Sequence, residues 1–319
     1  MVEKSRIIAA DAAGITAAVA RLVAGGIVAV PTETVYGLAA RAADADAVAR
    51  IYAAKGRPGF NPLIVHVADA AQAGELVTVD ALAARLMAAF WPGPLTLVLP
   101  LRPGAAVAGA VTAGLDTLAV RCPAHPVMQA LIAGAGPLAA PSANASGRIS
   151  ATTAAHVAAS LGDRVGLVLD GGACAAGVES TIIAVADGRW QLLRPGAVAV
   201  EALLAVAPLA AAGEALAATA VVRAPGMLAS HYAPRQPVRL AATSAGAHEF
   251  HIGFGAITGD ASLSPAGDLA EAAAALFSLL HRAEASGRAA IAVAPVPETG
   301  LGQAINDRLR RAAAPRDGA

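Results

Sequence analysis

Apolar positions along this chain recur with two periods, and each change of period marks the end of an element. Behind Asp11, a capping residue, Ile15, Val19, Leu22 and Val23 share one helix face, and Gly25-Gly26 stops the run. A short apolar strand, Ile27 to Val30, follows. Asp44 caps a second helix that turns Val48, Ile51 and Tyr52 inward and ends near Gly56. Leu63 to Ala68, Leu95 to Leu99, Thr117 to Arg121, Pro137 to Ala140, Val165 to Asp170, Ser180 to Val185 and Gln191 to Arg194 read as strands. Asp80 to Phe90, Pro126 to Ala133, and a segment capped by Ser150 that runs to about Leu161 read as helices. Elements mixed in this order predict an α/β or α+β domain with a mixed sheet over residues 1–205. Between 206 and 237 the pattern weakens among Pro208, Pro225, Gly226, Pro234 and Pro237, as in a long connection. Residues 238–319 then form a smaller α/β unit. It has strands at Val238 to Ala242, Phe250 to Phe254 and Ala289 to Ala294, a long amphipathic helix from Asp268 to Ser286, and a last helix from Leu301 to Ala312.

Composition narrows the class. Of 319 residues, 56% are apolar and 14% charged, the opposite of a disordered chain. Acids and bases balance at 23 each, and a dedicated nucleic-acid binder carries a basic excess. Cys122 and Cys174 form no CxxC pair, which excludes a disulfide framework and a four-thiolate zinc site. The start has no apolar signal core, and the longest uncharged run, Cys122 to Gly147, is broken by prolines. A soluble, cytoplasmic protein without a membrane span is expected. There is no GxxxxGK[ST], no GxGxxG after a strand and no GxSxG, so any nucleotide is held by a less common architecture. His248-Glu249-Phe250-His251 lacks the i, i+4 spacing of a zinc helix and reads as a solvated or structural cluster.

Four stretches are too polar for plain packing. Pro31-Thr32-Glu33-Thr34-Val35-Tyr36-Gly37-Leu38 leaves the end of a buried strand, where ligands of open α/β sheets bind. Lys55-Gly56-Arg57-Pro58-Gly59-Phe60-Asn61-Pro62 sets one of the two lysines beside an arginine on a loop stiffened by prolines. It is expected to be exposed and to bind polyphosphate, the alternative being a helix end favoured by its dipole. By strand alternation His66 faces away from Leu63, Val65 and Val67, while Thr117 and Arg121 share a face. An arginine inside an apolar strand needs a buried anionic partner or a ligand. Pro141-Ser142-Ala143-Asn144-Ala145-Ser146-Gly147, opening toward Ser150, offers several donors to an anion. Glu179-Ser180-Thr181 and Arg194-Pro195-Gly196 add hydroxyls and another strand-end cation.

These clusters, in this order, resemble the YrdC-type family, the threonylcarbamoyl-AMP synthases. PTETVYGL, AKGRP followed by NPL and a strand histidine, FWPGPLT, VRCP, APSANASG, ESTII and LRPG stand in family order over roughly residues 7 to 200. The later part resembles the family's long form: Ser230-His231-Tyr232-Ala233-Pro234 looks like its linker, and LSPAGD, PETGLG and Ala304-Ile305-Asn306-Asp307-Arg308-Leu309 look like its extra domain. The resemblance implies a YrdC-like twisted open α/β sheet, then a linker whose His231 reaches over the ATP site, then a smaller Rossmann-like α/β domain. The length of the 206–237 connection and its Met227, Leu228, His231 and Tyr232 separately predict a lid. It implies synthesis of threonylcarbamoyl-AMP from L-threonine, bicarbonate and ATP, with release of pyrophosphate, for a tRNA-modifying transferase that acts beside the anticodon.

By motif position, Thr34, His66, Arg121, Ala140 and Ser180 match L-threonine-binding residues. Arg57, Asn61, Thr117, Ser142, Ser150, Arg194 and His231 match the ATP side, and Lys55 and Arg57 are the expected catalytic pair. Magnesium is expected to arrive with ATP, held by phosphates and water, with no protein metal site. Two other readings compete. One is an RNA-binding module of YrdC type without synthase activity, which zero net charge weakens; direct tRNA binding would then be weak. The other is a carbamoyl-transfer domain as in hydrogenase-maturation proteins, whose cysteine spacing is absent.

Overall fold

A computed structural model describes residues 6–208 and 231–315. Ten strands form the larger sheet: β1 (Arg6–Ala9), β2 (Val28–Val30), β3 (Gly37–Arg41), β4 (Ile64–His66), β5 (Leu95–Pro100), β6 (Thr117–Arg121), β7 (Leu138–Ala139), β8 (Leu167–Asp170), β9 (Thr181–Ala186) and β10 (Arg189–Arg194). Their order is β1-β8-β2-β3-β7-β4-β6-β5-β9-β10. Parallel pairs such as β4 with β6 alternate with antiparallel ones such as β5 with β6, so the sheet is mixed.

Helices start where short acids can take their orphan N–H groups. Asp11, Asp44 and Asp80 cap helices Ala12–Val23, Ala45–Lys55 and Ala81–Phe90 through their carboxylates, each cap contributing ~1 kcal/mol. Gly56, at φ 61°, closes the second of these in the left-handed region. Ile51, Leu63, Val65, Leu86, Leu97, Val120 and Trp190 build the main core. Helices Ala12–Val23 and Pro126–Ala135 cover a second patch with Leu22, Met128 and Leu131. The alternation read in β4 holds: Leu63, Val65 and Val67 enter the main core, while Ile64 joins Val98, Ala119, Ile182 and Ala184 in a small cluster elsewhere. Beyond those short side chains the polar residues of β4 and β6 find room.

Four parallel strands make the second sheet: β11 (Val238–Arg239), β12 (Glu249–Gly253), β13 (Ala261–Ser262) and β14 (Ala290–Val293), in the order β11-β14-β12-β13. Helices Leu269–Ala285 and Gly302–Ala313 pack on it. Its core of Phe250, Ile252, Leu276, Phe277 and Ile305 is continuous with Val35, Ile149 and Val178 of the first part, so one apolar cluster joins the two sheets. Gly177, at φ 68°, lies against the helix Leu269–Ala285: a Cβ there would stand 2.4 Å from Ala273 O and Ala274 Cα.

Some elements escaped the pattern. β1, β3, β13 and the helices Ala70–Leu76, Gly109–Thr112 and Val200–Val206 were not expected. β3 is Gly-Leu-Ala-Ala-Arg, a poor strand former by itself; pairing with β2 and β7 makes it one. Ser150 is not a helix cap. Thr153 caps Ala154–Leu161, and Ser150 is left for other work. The expected linker begins later than 206, because Val206 ends a helix. Met227 and Leu228, assigned to a lid, lie outside the described residues. His251 is buried, with Nε2 3.2 Å from Ala242 O, in keeping with a structural role.

Candidate active site

The carboxyl ends of β4 and β6 lie side by side, with His66 paired to Arg121 in register. Loops from β2, β7 and β9 close round them into one cavity. Thr34, His66, Arg121, Ala140 and Ser180 line it, together with Arg57, Ser142, Arg194 and His231.

Arg121 is 3% exposed and its hydrogen-bonding capacity is well used. Nη1 donates to Thr34 Oγ1 at 2.9 Å, Nε to Gly93 O at 3.2 Å, and Nη2 faces Glu33 Oε1 at 2.7 Å. Glu33, with its side chain 17% exposed, is therefore the partly buried anion that meets this arginine in an apolar strand. Burial alone would raise the Glu33 pKa, but the Arg121 charge and hydrogen bond pull it below the usual carboxylate range. His66 is pushed down to about 3 by burial and then by Arg121, so its imidazole is neutral, with Nδ1 unpartnered. Ser180 Oγ shares a 2.7 Å hydrogen bond with Thr96 Oγ1.

The other end holds more cations. Arg57 donates to Asn61 O at 3.2 Å and to Pro62 O at 2.9 Å. Lys55 Nζ donates to the carbonyls of Ser142 and Asn144. Among the described residues neither cation meets a carboxylate. Burial, reinforced by the neighbouring Arg57 and Arg164, holds the Lys55 pKa well below normal, and burial brings Arg57 to about 10. Arg194 donates to Ser180 O at 2.8 Å. Asn61 Oδ1 and Asn144 Oδ1 are buried acceptors without a partner. His231, held near 3 mainly by burial, closes the wall beside Tyr232.

Four expected residues do not line the cavity. The Lys55 loop was read as exposed, yet Lys55 is 2% exposed and Arg57 9%. Lys55 points at the Ser142–Asn144 backbone and so shapes that loop instead of facing the void. Asn61 is buried under Arg57. Ser150 donates its hydroxyl to Glu179, which does line the cavity. Thr117 shares the Arg121 face but sits at the opposite end of β6, opposite Pro100 and roughly 13 Å along the strand. No individual role at the site was expected for Glu33, Thr96, Asn144, Glu179 or Arg308, and Tyr232 was expected only as part of a lid. Only Arg308 left a periodic signal: it falls at i+3 from Ile305 and beside Leu309, on the apolar face of its helix.

A mixed sheet that gathers buried cations and hydroxyls round one cavity at strand ends, with no P-loop, defines an α/β protein with a polar, cation-rich pocket. The comparisons agree with that class and narrow it. Residues 20–196 match the family model Sua5_yciO_yrdC, described as "Telomere recombination", and residues 198–314 match "Threonylcarbamoyl-AMP synthase, C-terminal domain". The chain is 41% identical over 312 residues to the threonylcarbamoyl-AMP synthase of Bacillus subtilis, covering 91% of this chain and 90% of that protein. Against the threonylcarbamoyl-AMP synthase of Pyrococcus abyssi it is 40% identical, with 90% of each covered. A crystal structure of P. abyssi Sua5 complexed with L-threonine superposes with a TM-score of 0.84 at 38% identity, covering 94% of both chains. This chain belongs to the Sua5/YrdC family of threonylcarbamoyl-AMP synthases, in the form that carries the C-terminal domain.

Among the described residues no helix is long and apolar enough to cross a membrane.

Proposed function

We propose that this chain joins L-threonine, bicarbonate and ATP into threonylcarbamoyl-AMP, releasing pyrophosphate, to supply the threonylcarbamoyladenosine modification of tRNA. The observation that carries the reading is the division of charge along one cavity. At one end Arg121 is matched by Glu33 and His66 is neutral. At the other, Arg57 lines the cavity and, like the buried Lys55 just outside it, meets no carboxylate among the described residues. A zwitterionic amino acid suits the first end and a triphosphate the second.

The residues divide the work accordingly. The Arg121 guanidinium is the natural bidentate partner of the threonine carboxylate, with the Thr34 and Ser180 hydroxyls beside it. Neutral His66 can accept a hydrogen bond from the amine through its free Nδ1. The deprotonated amine adds to carbon dioxide with loss of a proton to solvent, or to bicarbonate with loss of water, to give a carbamate. A carbamate oxygen then attacks the α-phosphorus, and the pyrophosphate carries off the electron pair of the broken P–O bond. Arg57 and Arg194 face the triphosphate, Ser142 and His231 border it, and Lys55 fixes the loop that bears Ser142. No covalent nucleophile is needed: holding the reactants in line and stabilising charge at phosphorus are the protein's contributions.

Magnesium would come with ATP as its counter-ion, held by the phosphates and water, and would supply charge neutralisation there; among the described residues no group of three or more His, Cys, Asp or Glu could hold it by protein ligands alone. The product is handed to a transferase that acts on tRNA, and the cytoplasm is the proposed compartment. The test is incubation of the purified chain with magnesium, ATP, L-threonine and bicarbonate. Mass spectrometry is expected to show the adenylate, and pyrophosphate is expected to appear with it. Pyrophosphate release that is equally fast without threonine would reject the reading. Tight tRNA binding with no adenylate would favour an RNA-binding module.

A further inference from the structure

The Asn306-Asp307-Arg308 stretch of the C-terminal helix takes no part in the chemistry above, yet Arg308 is one of the largest fully buried side chains. Its Nε donates to Glu179 Oε2 at 2.7 Å, and Nη1 to Asp307 Oδ2 at 2.6 Å. The Glu179 carboxylate also accepts the Ser150 hydroxyl on Oε1. The Arg308 guanidinium carbon stands 5.0 Å from the centre of the Tyr232 ring. That tyrosine sits at φ 60°, a backbone region unfavourable for a bulky residue, so its surroundings must hold it there. Phe277, His231 and Arg308 do so at 5.7, 4.1 and 5.0 Å, and the backbone of Arg311, one turn on, accepts from His231 N at 3.2 Å.

We infer that Arg308 is a positioning residue through which the docked C-terminal domain prepares the triphosphate end of the cavity. This rests on the reading of that end as the ATP site. Arg308 does two things there. It neutralises Glu179, a carboxylate in the cavity wall that would otherwise face a tetra-anion, and it leaves Glu179 free to orient the Ser150 hydroxyl. It also backs the Tyr232 ring, which keeps His231 in the wall. The threonine end receives none of these contacts: Arg121 has its own anion in Glu33.

Charge matching gives a test that a merely structural arginine would fail. Arg308→Met is expected to raise the KM for ATP at least tenfold while moving the KM for threonine less than twofold. Adding Glu179→Gln removes the bare carboxylate, and the double variant is expected to regain at least threefold of the lost ATP affinity. Arg308→Lys, which keeps the charge, is expected to fall between wild type and Arg308→Met. Binding of a non-hydrolysable ATP analogue, followed by calorimetry, reads the same order without turnover. If Arg308→Met does not fold, the double variant and Arg308→Lys carry the comparison, because neither leaves a buried charge unpaired. Three results would overturn the inference: unchanged ATP affinity in a folded Arg308 variant, equal losses for ATP and threonine, or no recovery on adding Glu179→Gln. A wild-type chain that binds no ATP analogue would instead reject the reading of the site itself.

Discussion

The two ends of the cavity solve the problem of buried cations in opposite ways. At the threonine end Arg121 is paired at 2.7 Å with Glu33, and the end is electrically complete before any ligand arrives. At the triphosphate end Lys55 and Arg57 are buried on carbonyl oxygens, which satisfy their N–H groups but not their charge. A buried charge without a counter-charge is costly, and the depressed Lys55 and Arg57 pKa values register that cost. The ligand supplies what is missing, so ATP is expected to stabilise the fold more than threonine does. Glu179, the acid in this wall, is already engaged by Arg308 and Ser150.

The comparison breaks most sharply at Arg121. Arg121→Ala leaves the partly buried Glu33 without its cation, a change toward the lower end of the about 3–5 kcal/mol seen for fully buried pairs. Urea unfolding is expected to show a loss of that order, and threonine binding by calorimetry is expected to fall at least tenfold while ATP binding changes far less. Unchanged threonine affinity would remove Arg121 from that end. Lys55→Met is next. It strands the Ser142 and Asn144 carbonyls, at ~1–3 kcal/mol for buried groups left unpaired, and loosens the loop. Lower stability together with a raised KM for ATP is expected. This differs from the behaviour of the exposed loop lysine that the sequence suggested, whose loss would leave stability nearly unchanged.

Arg57→Ala is expected to raise the KM for ATP about tenfold, equivalent to ~1.4 kcal/mol, with threonine KM steady. Equal changes in both would mean that the ends are not separate.

The smallest effect is one of pH. His66 and His231, one at each end, are both held near 3 by burial, below the 6.5 of an unfolded histidine. The unfolded chain therefore takes up protons that the folded chain refuses. The contribution of these histidines is complete above about pH 6.5 and is lost as pH falls toward 3. Melting temperature is expected to drop between pH 7 and pH 5. Bound ATP brings negative charge to His231 and eases its protonation, so ATP protection is expected to grow relative to threonine protection at pH 5, by about one to two degrees. An equal change for both ligands would contradict the assignment of ends.

How much of this could be read beforehand varies residue by residue. Alternation in β4 and β6 set His66 and Arg121 on a polar face, because strand geometry is local. The need for an anion near Arg121 was legible too. That Glu33 meets it was not, since the partners are 88 positions apart and only the packing of the β2–β3 loop against β6 brings them together. Ser150 looked like an N-cap because a serine before a helical pattern usually is one. Thr153 takes that role, and the pull of Glu179 decides what Ser150 does. Lys55 looked exposed because a helix end followed by Gly and Pro normally is.

By itself the chain's order of apolar and polar residues determined the α/β class, the capped helices, the strands that carry the site and the residue types gathered there. Those follow from periods of a few residues and from the chemistry of single side chains. The tertiary structure alone decided which cation is paired and which is left for a ligand, and it set Arg308, on the last helix, beside Glu179, just before β9 of the larger sheet. Charge balance in a low-dielectric interior depends on distance in space, and contacts between residues 129 positions apart have no local pattern from which to be read.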